Sequence, residues 1–222
     1  MRKTLFAMAA LAALALPSAA AAQPAAMSVW GGWKFGGSMS VREGTIRVPA
    51  QEHFGGELAF RVRSDAMGLL MVDYQRSTLR LERFGGANED LFDMDVWYFM
   101  AGGQYEIIDR GPVVPYGLFT LGVSWFNPTG ATAIDYGSET MFSTIFGGGV
   151  RVPIGQEQRI ALRLEGKMYL NIPWGGAGIW CSAGGCAGTF GGYVGPVQGS
   201  VTAGLRFALG ETRPAPARRP RR

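Results

Sequence analysis

The chain has 222 residues, of which 17% are charged, 34 are glycine and one is histidine. This composition excludes a highly charged disordered chain, a small disulfide-held domain and a histidine-rich metal site. No apolar run after residue 30 approaches the ~20 residues that a membrane-spanning helix needs, which excludes a helical membrane protein. The net charge is +4, but the first 22 residues contribute two positive charges and residues 211–222 contribute four, which leaves −2 for residues 23–210. We therefore predict no nucleic-acid partner.

Residues 1–22 have the three parts of a secretory signal peptide. Basic Arg2 and Lys3 precede a twelve-residue apolar stretch at 5–16, and small residues follow at 20–22. A retained membrane anchor is the alternative, but this stretch is too short to span a bilayer. We predict cleavage before Gln23 and, because no cysteine follows the cut, no lipid attachment.

Apolar and polar residues alternate at every second position through most of residues 27–209, which is the pattern of half-buried strands. The eight segments with this pattern are 28–41, 56–64, 68–82, 91–106, 114–126, 140–153, 160–172 and 197–209. In the third segment the alternation slips near Arg76 and Ser77, which predicts a bulge or an exit from the apolar layer. Links after the second, fourth and sixth segments are short, and the others are longer, with 173–196 the longest. Outer-membrane barrels show this regular alternation of link lengths, so we predict an all-β, eight-stranded antiparallel transmembrane barrel.

The charged residues of these strands are predicted to face a narrow lumen. In a membrane barrel the apolar face meets lipid and the polar face turns inward, where charges must be paired. The predicted inward-facing charges are Lys34, Arg61, Arg63, Asp73, Asp93, Asp95, Arg151, Arg163, Glu165, Lys167 and Arg206, together with Glu57. On the fourth segment, the residues predicted to face lipid are Phe92, Met94, Val96, Tyr98 and Met100. The alternative is a secreted soluble barrel whose charges face water.

Six aromatic residues lie mostly toward strand ends, where amphipathic rings favour the boundary between membrane and water. We predict that they form girdles, and the alternative is that they fill a core. They are Trp30, Trp33, Trp97, Trp125, Tyr169 and Trp174.

The last strand resembles the terminal assembly signal of bacterial outer-membrane barrels, through Thr202, Gly204, Phe207 and Leu209. Together with the leader, the eight segments and the run 146–152, it makes residues 27–209 similar to the small outer-membrane β-barrel family, which includes the OmpA transmembrane domain and the OmpX type. The resemblance implies an outer-membrane location and recognition by the barrel-assembly machinery. One departure is that residues 210–222 follow the last strand, and this tail is too short to be a peptidoglycan-binding domain.

Few residues suggest chemistry. His53, beside Glu52 in a predicted long loop, could act with Ser38 or Ser40 in a barrel enzyme such as a lipid A deacylase or an omptin-type protease, but a solvated loop histidine is favoured. A calcium site at residues 88–90, Asp93 and Asp95 is a weaker alternative because the spacing matches no calcium loop. Glycines 147–149 lie within a strand and form no phosphate cradle. We predict no enzyme activity, cofactor or metal.

Cys181 and Cys186 are the only two cysteines, and they lie close together in the longest link. Because a secreted chain meets an oxidising compartment, we predict that they form a disulfide. Residues 211–222 contain Pro214, Pro216 and Pro220 and an excess of arginine, which predicts a disordered periplasmic tail. This tail could contact anionic lipid headgroups or acidic cell-wall polymer, or it could have no partner.

These observations predict a monomeric barrel with a charge-filled lumen, both termini in the periplasm and extracellular loops that serve a structural or adhesive role. The expected surroundings are outer-membrane lipid and lipopolysaccharide. A narrow pore for small or apolar solutes is the first alternative, and a lipid A-modifying enzyme is the second.

Overall fold

A computed structural model describes residues 25–41, 44–86, 88–107, 113–129, 138–155, 158–172, 178–182, 185–190 and 193–209. The predicted signal peptide, the tail 211–222 and Trp174 lie outside these residues. None of the described residues forms a helix that is long and apolar enough to cross a membrane.

The described part of the chain is built from strands. Their bounds are β1 (Ala25–Phe35), β2 (Ser38–Val41), β3 (Gly44–Arg47), β4 (Gln51–Arg61), β5 (Ala66–Arg83), β6 (Asn88–Glu106), β7 (Val114–Thr129), β8 (Glu139–Ile154), β9 (Ile160–Ile172), β10 (Gly178–Ser182), β11 (Gly185–Phe190) and β12 (Tyr193–Leu209). Eight of these strands pair antiparallel in the order β1-β4-β5-β6-β7-β8-β9-β12, and β12 pairs with β1. This pairing closes the sheet, so the predicted eight-stranded antiparallel barrel is confirmed.

The two ends of the barrel differ. At the lower end, the short connections 62–65, 107–113 and 155–159 join neighbouring strands. At the upper end, β2 and β3 form a hairpin that pairs with the upper part of β5, and β10 and β11 form a hairpin beside β12. Strands β5 and β6 have 18 and 19 residues and stay paired up to Glu82 and Asn88. They are longer by about eight residues than a strand that just crosses a membrane. We call their paired upper parts, residues 76–83 of β5 and 88–95 of β6, the extension.

Three predicted boundaries need correction. The first segment was expected to be one strand over 28–41, but β1 ends at Phe35 because Gly36 and Gly37 adopt left-handed φ values of 82° and 101°. The second strand covers residues 51–61 instead of 56–64, so it begins five residues earlier. In β5 the alternation of faces continues through Arg76 and Ser77, and the register shift lies three residues later, between Leu79 and Arg80.

Alternate side chains of the barrel strands point outward and form an apolar belt. Each belt residue is substantially exposed, because none of the described residues covers this face. The belt includes Val29, Leu58, Leu70, Val72, Phe99, Phe119, Leu121, Phe146, Leu162, Leu164, Val201 and Leu205. The opposite positions are buried inside the barrel, so the lumen holds the polar face of most strands, as the alternation predicts.

Strand β6 is the exception, and its predicted faces are wrong. Val96, Tyr98 and Met100 are buried in the lumen, at 2%, 0% and 3% exposure, although they were assigned to lipid. Asp93 and Asp95, which were assigned to the lumen, lie on the outward face and bond to neighbours on β5. Apolar and aromatic side chains also fill this lumen, so the apolar face of a strand does not by itself identify the outside.

The backbone of the β10–β11 hairpin places Cys181 directly opposite Cys186 in an antiparallel pair. The side chains of this hairpin lie outside those the structure describes. The disulfide between the two cysteines therefore stays a prediction.

Candidate functional site

The candidate site is the lumen, whose buried polar side chains form two linked clusters. The upper cluster surrounds Asp73 of β5, which has no exposed surface. Its Oδ1 accepts a hydrogen bond from Lys34 Nζ at 2.7 Å, and its Oδ2 lies 2.9 Å from His53 Nδ1. Trp30 Nε1 and the Tyr169 hydroxyl also donate to Oδ2, each at 3.3 Å. Four side chains from three other strands therefore meet on one carboxylate.

Aromatic rings complete the surroundings of the buried Lys34 ammonium. Its Nζ lies 3.9 Å from the centre of the Tyr169 ring and 4.3 Å from that of Tyr98. A cation over an aromatic face is attracted by the quadrupole of the ring, and this attraction is stronger away from water. The two tyrosine rings also pack edge-to-face at 5.2 Å, so they fill the lumen at this level while they stabilise the charge.

The middle cluster surrounds Arg163 of β9. Its guanidinium forms close ion pairs with Glu57 and Glu165, and it donates to the hydroxyl groups of Ser28 at 2.7 Å and Tyr116 at 3.1 Å. The second oxygen of Glu165 pairs with Lys167 Nζ at 2.6 Å. Two bases and two acids thus balance in a buried group that draws on strands across the barrel. Buried charges need this pairing, because each of them has lost its hydration.

Trp30 links the two clusters. Its indole nitrogen bonds to Asp73 of the upper cluster, and Lys167 of the middle cluster lies 3.9 Å from the centre of its ring. The ring lies close to the wall because its two neighbours in the sheet are Gly55 and Gly204. A Cβ on Gly55 would lie 2.7 Å from Trp30 Cζ2, and a Cβ on Gly204 would lie 2.8 Å from Trp30 Cβ. Both glycines are therefore needed for this close approach.

A network of neutral polar groups lies above the upper cluster. The Ser143 hydroxyl is 2.6 Å from the Ser124 hydroxyl and 2.8 Å from Asn171 Oδ1, and Asn171 Nδ2 donates to the Tyr98 hydroxyl at 3.3 Å. The Tyr98 hydroxyl in turn donates to Gln198 Oε1 at 3.3 Å. The bonds of Tyr98 therefore cross the lumen from β6 to β9 and β12, whereas those of Ser143 join β8 to its two neighbours in the sheet.

The interpretation of His53 as a solvated loop residue is wrong. His53 lies in β4, 1% exposed, with its ring edge-to-face against Tyr169. Its Nε2 has no hydrogen-bond partner among the described residues, so no described hydroxyl is placed for activation by this imidazole. The proposed partner Ser38 is exposed and lies in β2, beyond the end of the barrel strand.

The predicted charges divide into three groups. Lys34, Asp73, Glu57, Arg163, Glu165, Lys167 and Arg206 are buried in the lumen. Arg61 and Arg151 lie at its lower end, partly exposed. Arg63 is wrong as a lumen residue, because it lies in a lower-end turn with its side chain 78% exposed and paired with Asp65. Asp93 and Asp95 are also wrong, because they lie on the outward face of the extension.

Sequence reasoning missed two buried titratable residues, His53 and Glu106. Glu106 ends β6 and was not included because the predicted faces of that strand were reversed; in the structure it pairs closely with Arg151. His53 was missed because the predicted second strand begins at residue 56, whereas β4 begins at Gln51. The alternation of Gln51, His53 and Glu57 with Phe54 and Leu58 is the signal that could have placed it.

The outward aromatic residues lie just below the polar part of the extension. Phe54, Tyr74 and Trp97 form a row with ring centres 5.2 and 4.6 Å apart, and Trp33 and Trp125 also point outward. Of the predicted girdle, Trp33, Trp97 and Trp125 are outside. The prediction of a girdle position is wrong for Trp30 and Tyr169, because both are buried in the lumen.

Above this row, the surface of the extension carries pairs of opposite charges, and Arg83 with Glu89 lies on the face opposite to the other pairs. These pairs are Arg76 with Asp93, Arg80 with Asp90, Arg83 with Glu89, and Arg47 of β3 with Glu82. The hydrogen bond from Arg80 lowers the pKa of the Asp90 carboxyl. The acidic residues that were considered for calcium thus lie opposite arginines, which makes this face a hydrated surface of mixed charge.

Solved structures with the same fold include two outer-membrane proteins. The chain is similar to Neisserial surface protein A, with a TM-score of 0.52, 13% identity, and coverage of 84% of this chain and 97% of that one. It is similar to the outer membrane protein OprG from Pseudomonas aeruginosa, with a TM-score of 0.54, 10% identity, and coverage of 84% and 97%. The fold predicted from the resemblance to small outer-membrane barrels is therefore confirmed. No protein-family model matches the sequence, and no curated protein is significantly similar to it.

The middle cluster predicts the effect of removing one buried acid. In the variant Glu165→Gln, the Arg163 and Lys167 charges lose a shared partner, and we expect the free energy of unfolding to fall by about 3–5 kcal/mol. The measurement is urea unfolding of the refolded protein, followed by tryptophan fluorescence. The matched control is Glu89→Gln, whose exposed ion pair contributes little. Equal losses in the two variants would contradict the assignment of Glu165 to a tightly coupled buried cluster.

Proposed function

We propose that the protein is a non-enzymatic outer-membrane barrel with a closed lumen, and that it acts through the surface that its upper end presents outside the cell. The observation that supports this most directly is that buried side chains, joined to one another by hydrogen bonds, fill the lumen. Tyr98, Tyr169, Trp30 and Arg163 are each 6% exposed or less, and their hydrogen bonds join opposite walls. An eight-stranded barrel is just wide enough for its own side chains, so such a filling leaves little room for a solute.

The outer-membrane location is supported by the belt of exposed apolar residues and by the fold that the chain shares with other outer-membrane proteins. A belt of this kind around a closed sheet is stable in lipid, where every backbone hydrogen bond must be made internally. In water it would be a large apolar surface that favours aggregation. The closing strand β12 holds Thr202, Gly204, Phe207 and Leu209, and its recognition by the assembly machinery is part of this proposal.

The extension supports a role in surface interaction. Strands β5 and β6 continue beyond the aromatic row, pair with each other and with β3 of the β2–β3 hairpin, and carry charged side chains on this hydrogen-bonded sheet. A rigid surface loses little conformational entropy when it binds a partner. We propose that this face, together with the upper loops, contacts lipopolysaccharide or another molecule at the cell surface.

The main alternative is a narrow pore. It is favoured by the buried side chains of Gln75 and Ser77 above the upper cluster, whose polar side-chain atoms have no hydrogen-bond partner among the described residues. Such groups are usually satisfied by water. They are consistent with a hydrated upper lumen, whereas the tyrosine pair and the middle cluster below them oppose a continuous path.

Planar-bilayer recording separates the two functions. We expect the purified protein to give no steady ohmic steps, because the lumen is filled at the level of the tyrosine pair. The double variant Tyr98→Ala with Tyr169→Ala removes both rings, and is expected to stay non-conducting in the same bilayer because the middle cluster still fills the level below. Steady steps from the unmodified protein would contradict the closed lumen and support the pore.

The lipid-facing belt is tested by a charge at its surface. Leu164 is 48% exposed on the outward face of β9. The variant Leu164→Arg should lose about 2–4 kcal/mol of stability in a bilayer, because a charge near the midplane is poorly solvated. The readout is the fraction of protein with folded mobility on unboiled gels after refolding into vesicles. As a control, Phe84→Arg at the exposed tip of the extension should fold like the unmodified protein.

The orientation is tested by labelling intact cells with a membrane-impermeant maleimide. The variant Phe84→Cys places a thiol at the upper tip and should react with the reagent from outside. The matched variant Arg63→Cys places one in a lower-end turn and should react only after the outer membrane is permeabilised. The unmodified protein provides the background from Cys181 and Cys186. Labelling of Arg63→Cys but not Phe84→Cys on intact cells would show the reverse orientation.

A further inference from the structure

The lower end of the lumen has more positive than negative charge. Arg61, Arg151 and Arg206 lie there with the carboxylate of Glu106, while the nearby Asp65 pairs with Arg63 in its turn. Glu106 pairs closely with Arg151, whereas the nearest guanidinium nitrogen of Arg61 is 3.9 Å from it. The upper and middle clusters balance their own charges, so the two excess positive charges are concentrated in this region. We call Arg61, Gln104, Glu106, Arg151 and Arg206 the lower chamber.

Arg206 of β12 is the least satisfied member. The residue is 7% exposed, and the hydrogen bond that its Nη2 makes within the described part of the chain is to the sulfur of Met67, at 2.8 Å. Its Nη1 has no hydrogen-bond partner among the described residues. Arg151 and Arg163 lie within electrostatic reach of Arg206, while the acids near it, Glu106 and Glu57, already pair closely with those two arginines.

A buried guanidinium without a charged partner stays charged, because arginine does not lose its proton in proteins. Burying a charge without a partner is costly, and proteins pair such charges or bind a counter-ion. A thioether sulfur is only a weak acceptor and carries no charge. Arg206 therefore needs an anion that the described residues do not supply.

The rest of the lower chamber suits a small anion. The inward positions near Arg206 hold short side chains, because Ala161 faces it in the register and Ala26 and Ala59 lie on the next two strands. Gln104 donates through its Nε2 to Glu106, but its Oε1 has no hydrogen-bond partner among the described residues. An anion that carries a hydroxyl group could bond to this acceptor, while its charged oxygens accept from Arg206.

We propose that the lower chamber binds a small tetrahedral oxyanion of the phosphate type, held by Arg206 with Arg61 and Arg151. Hydrogen phosphate has two negative charges, which match the excess of the chamber, and one hydroxyl, which matches Gln104. Guanidinium groups bind such oxyanions through directed, charge-assisted hydrogen bonds. The phosphate can be free in solution or belong to a lipid headgroup at the lower rim.

The first test measures thermal unfolding in lipid-free detergent, by loss of folded mobility on unboiled gels. Phosphate should raise the midpoint of the unmodified protein in a saturable way, relative to chloride at the same ionic strength, because a ligand of the folded state stabilises it. The variant Arg206→Met should lose this response and should be at least as stable as the unmodified protein without phosphate. Arg80→Met, an exposed arginine of the extension, is the matched control and should keep the response.

Two further measurements make the outcome decisive. A ³¹P NMR titration of the unmodified protein with inorganic phosphate should show saturable broadening, even if Arg206→Met fails to fold. Stabilisation by phosphatidylglycerol in phosphate-free detergent, without any response to inorganic phosphate, would place the anion in a lipid headgroup. The proposal is overturned if neither phosphate nor this lipid stabilises the protein, as expected if an acidic side chain from a lower turn neutralises Arg206. It is also overturned if Arg206→Met keeps the full phosphate response.

Discussion

The closure of the sheet between β1 and β12 is the constraint on which the rest of the structure depends. A sheet that faces lipid on one side must have no free edge, because an unpaired backbone group is costly there. Closing the sheet with eight strands makes a lumen so narrow that side chains from opposite walls meet. Inward charges can then pair with side chains of other strands inside the lumen. The contacts of Asp73 with Lys34, His53 and Tyr169 illustrate this pairing.

Position along the barrel decides what a charged pair does. Arg163 and Glu165 are buried on β9, so their pairing replaces lost hydration, and the second ion pair of Arg163, with Glu57, couples β9 to β4. Arg80 and Asp90 have the same chemistry, but they lie in water, where an ion pair contributes little to stability. Substitution of the first pair therefore acts on the fold, whereas the second pair can change with little cost to the barrel. The lower chamber differs from both, because it combines burial with an unbalanced charge.

The sequence predicted the barrel well because apolar and polar residues alternate at every second position along most of its strands. On β9, the alternation of Arg163, Glu165 and Lys167 with Leu162 and Leu164 gave both the strand and its faces. The same signal failed on β6, whose inward positions hold apolar residues and tyrosine, and whose outward acids lie above the aromatic row. A charged residue indicates a lumen position only in the part of a strand whose outer face belongs to the apolar belt. The sequence does not show where a strand extends beyond that belt. The partners across the lumen, such as Trp30 for Asp73, depend on register and shear, which a single sequence does not contain.

The aromatic residues show that parity carries more information than residue type. Trp30 lies on the same face of β1 as Lys34, and Tyr169 lies on the same face of β9 as Lys167. Their parity therefore placed both in the lumen, although tryptophan and tyrosine are typical girdle residues. Inside the barrel these rings do what aliphatic side chains could not, because they fill space, donate a hydrogen bond to Asp73 and provide a face for an ammonium group. The filling of the lumen is thus part of the hydrogen-bonded structure that holds the barrel together. The two regions proposed to bind other molecules, the upper extension and the lower chamber, lie above and below these hydrogen-bonded clusters.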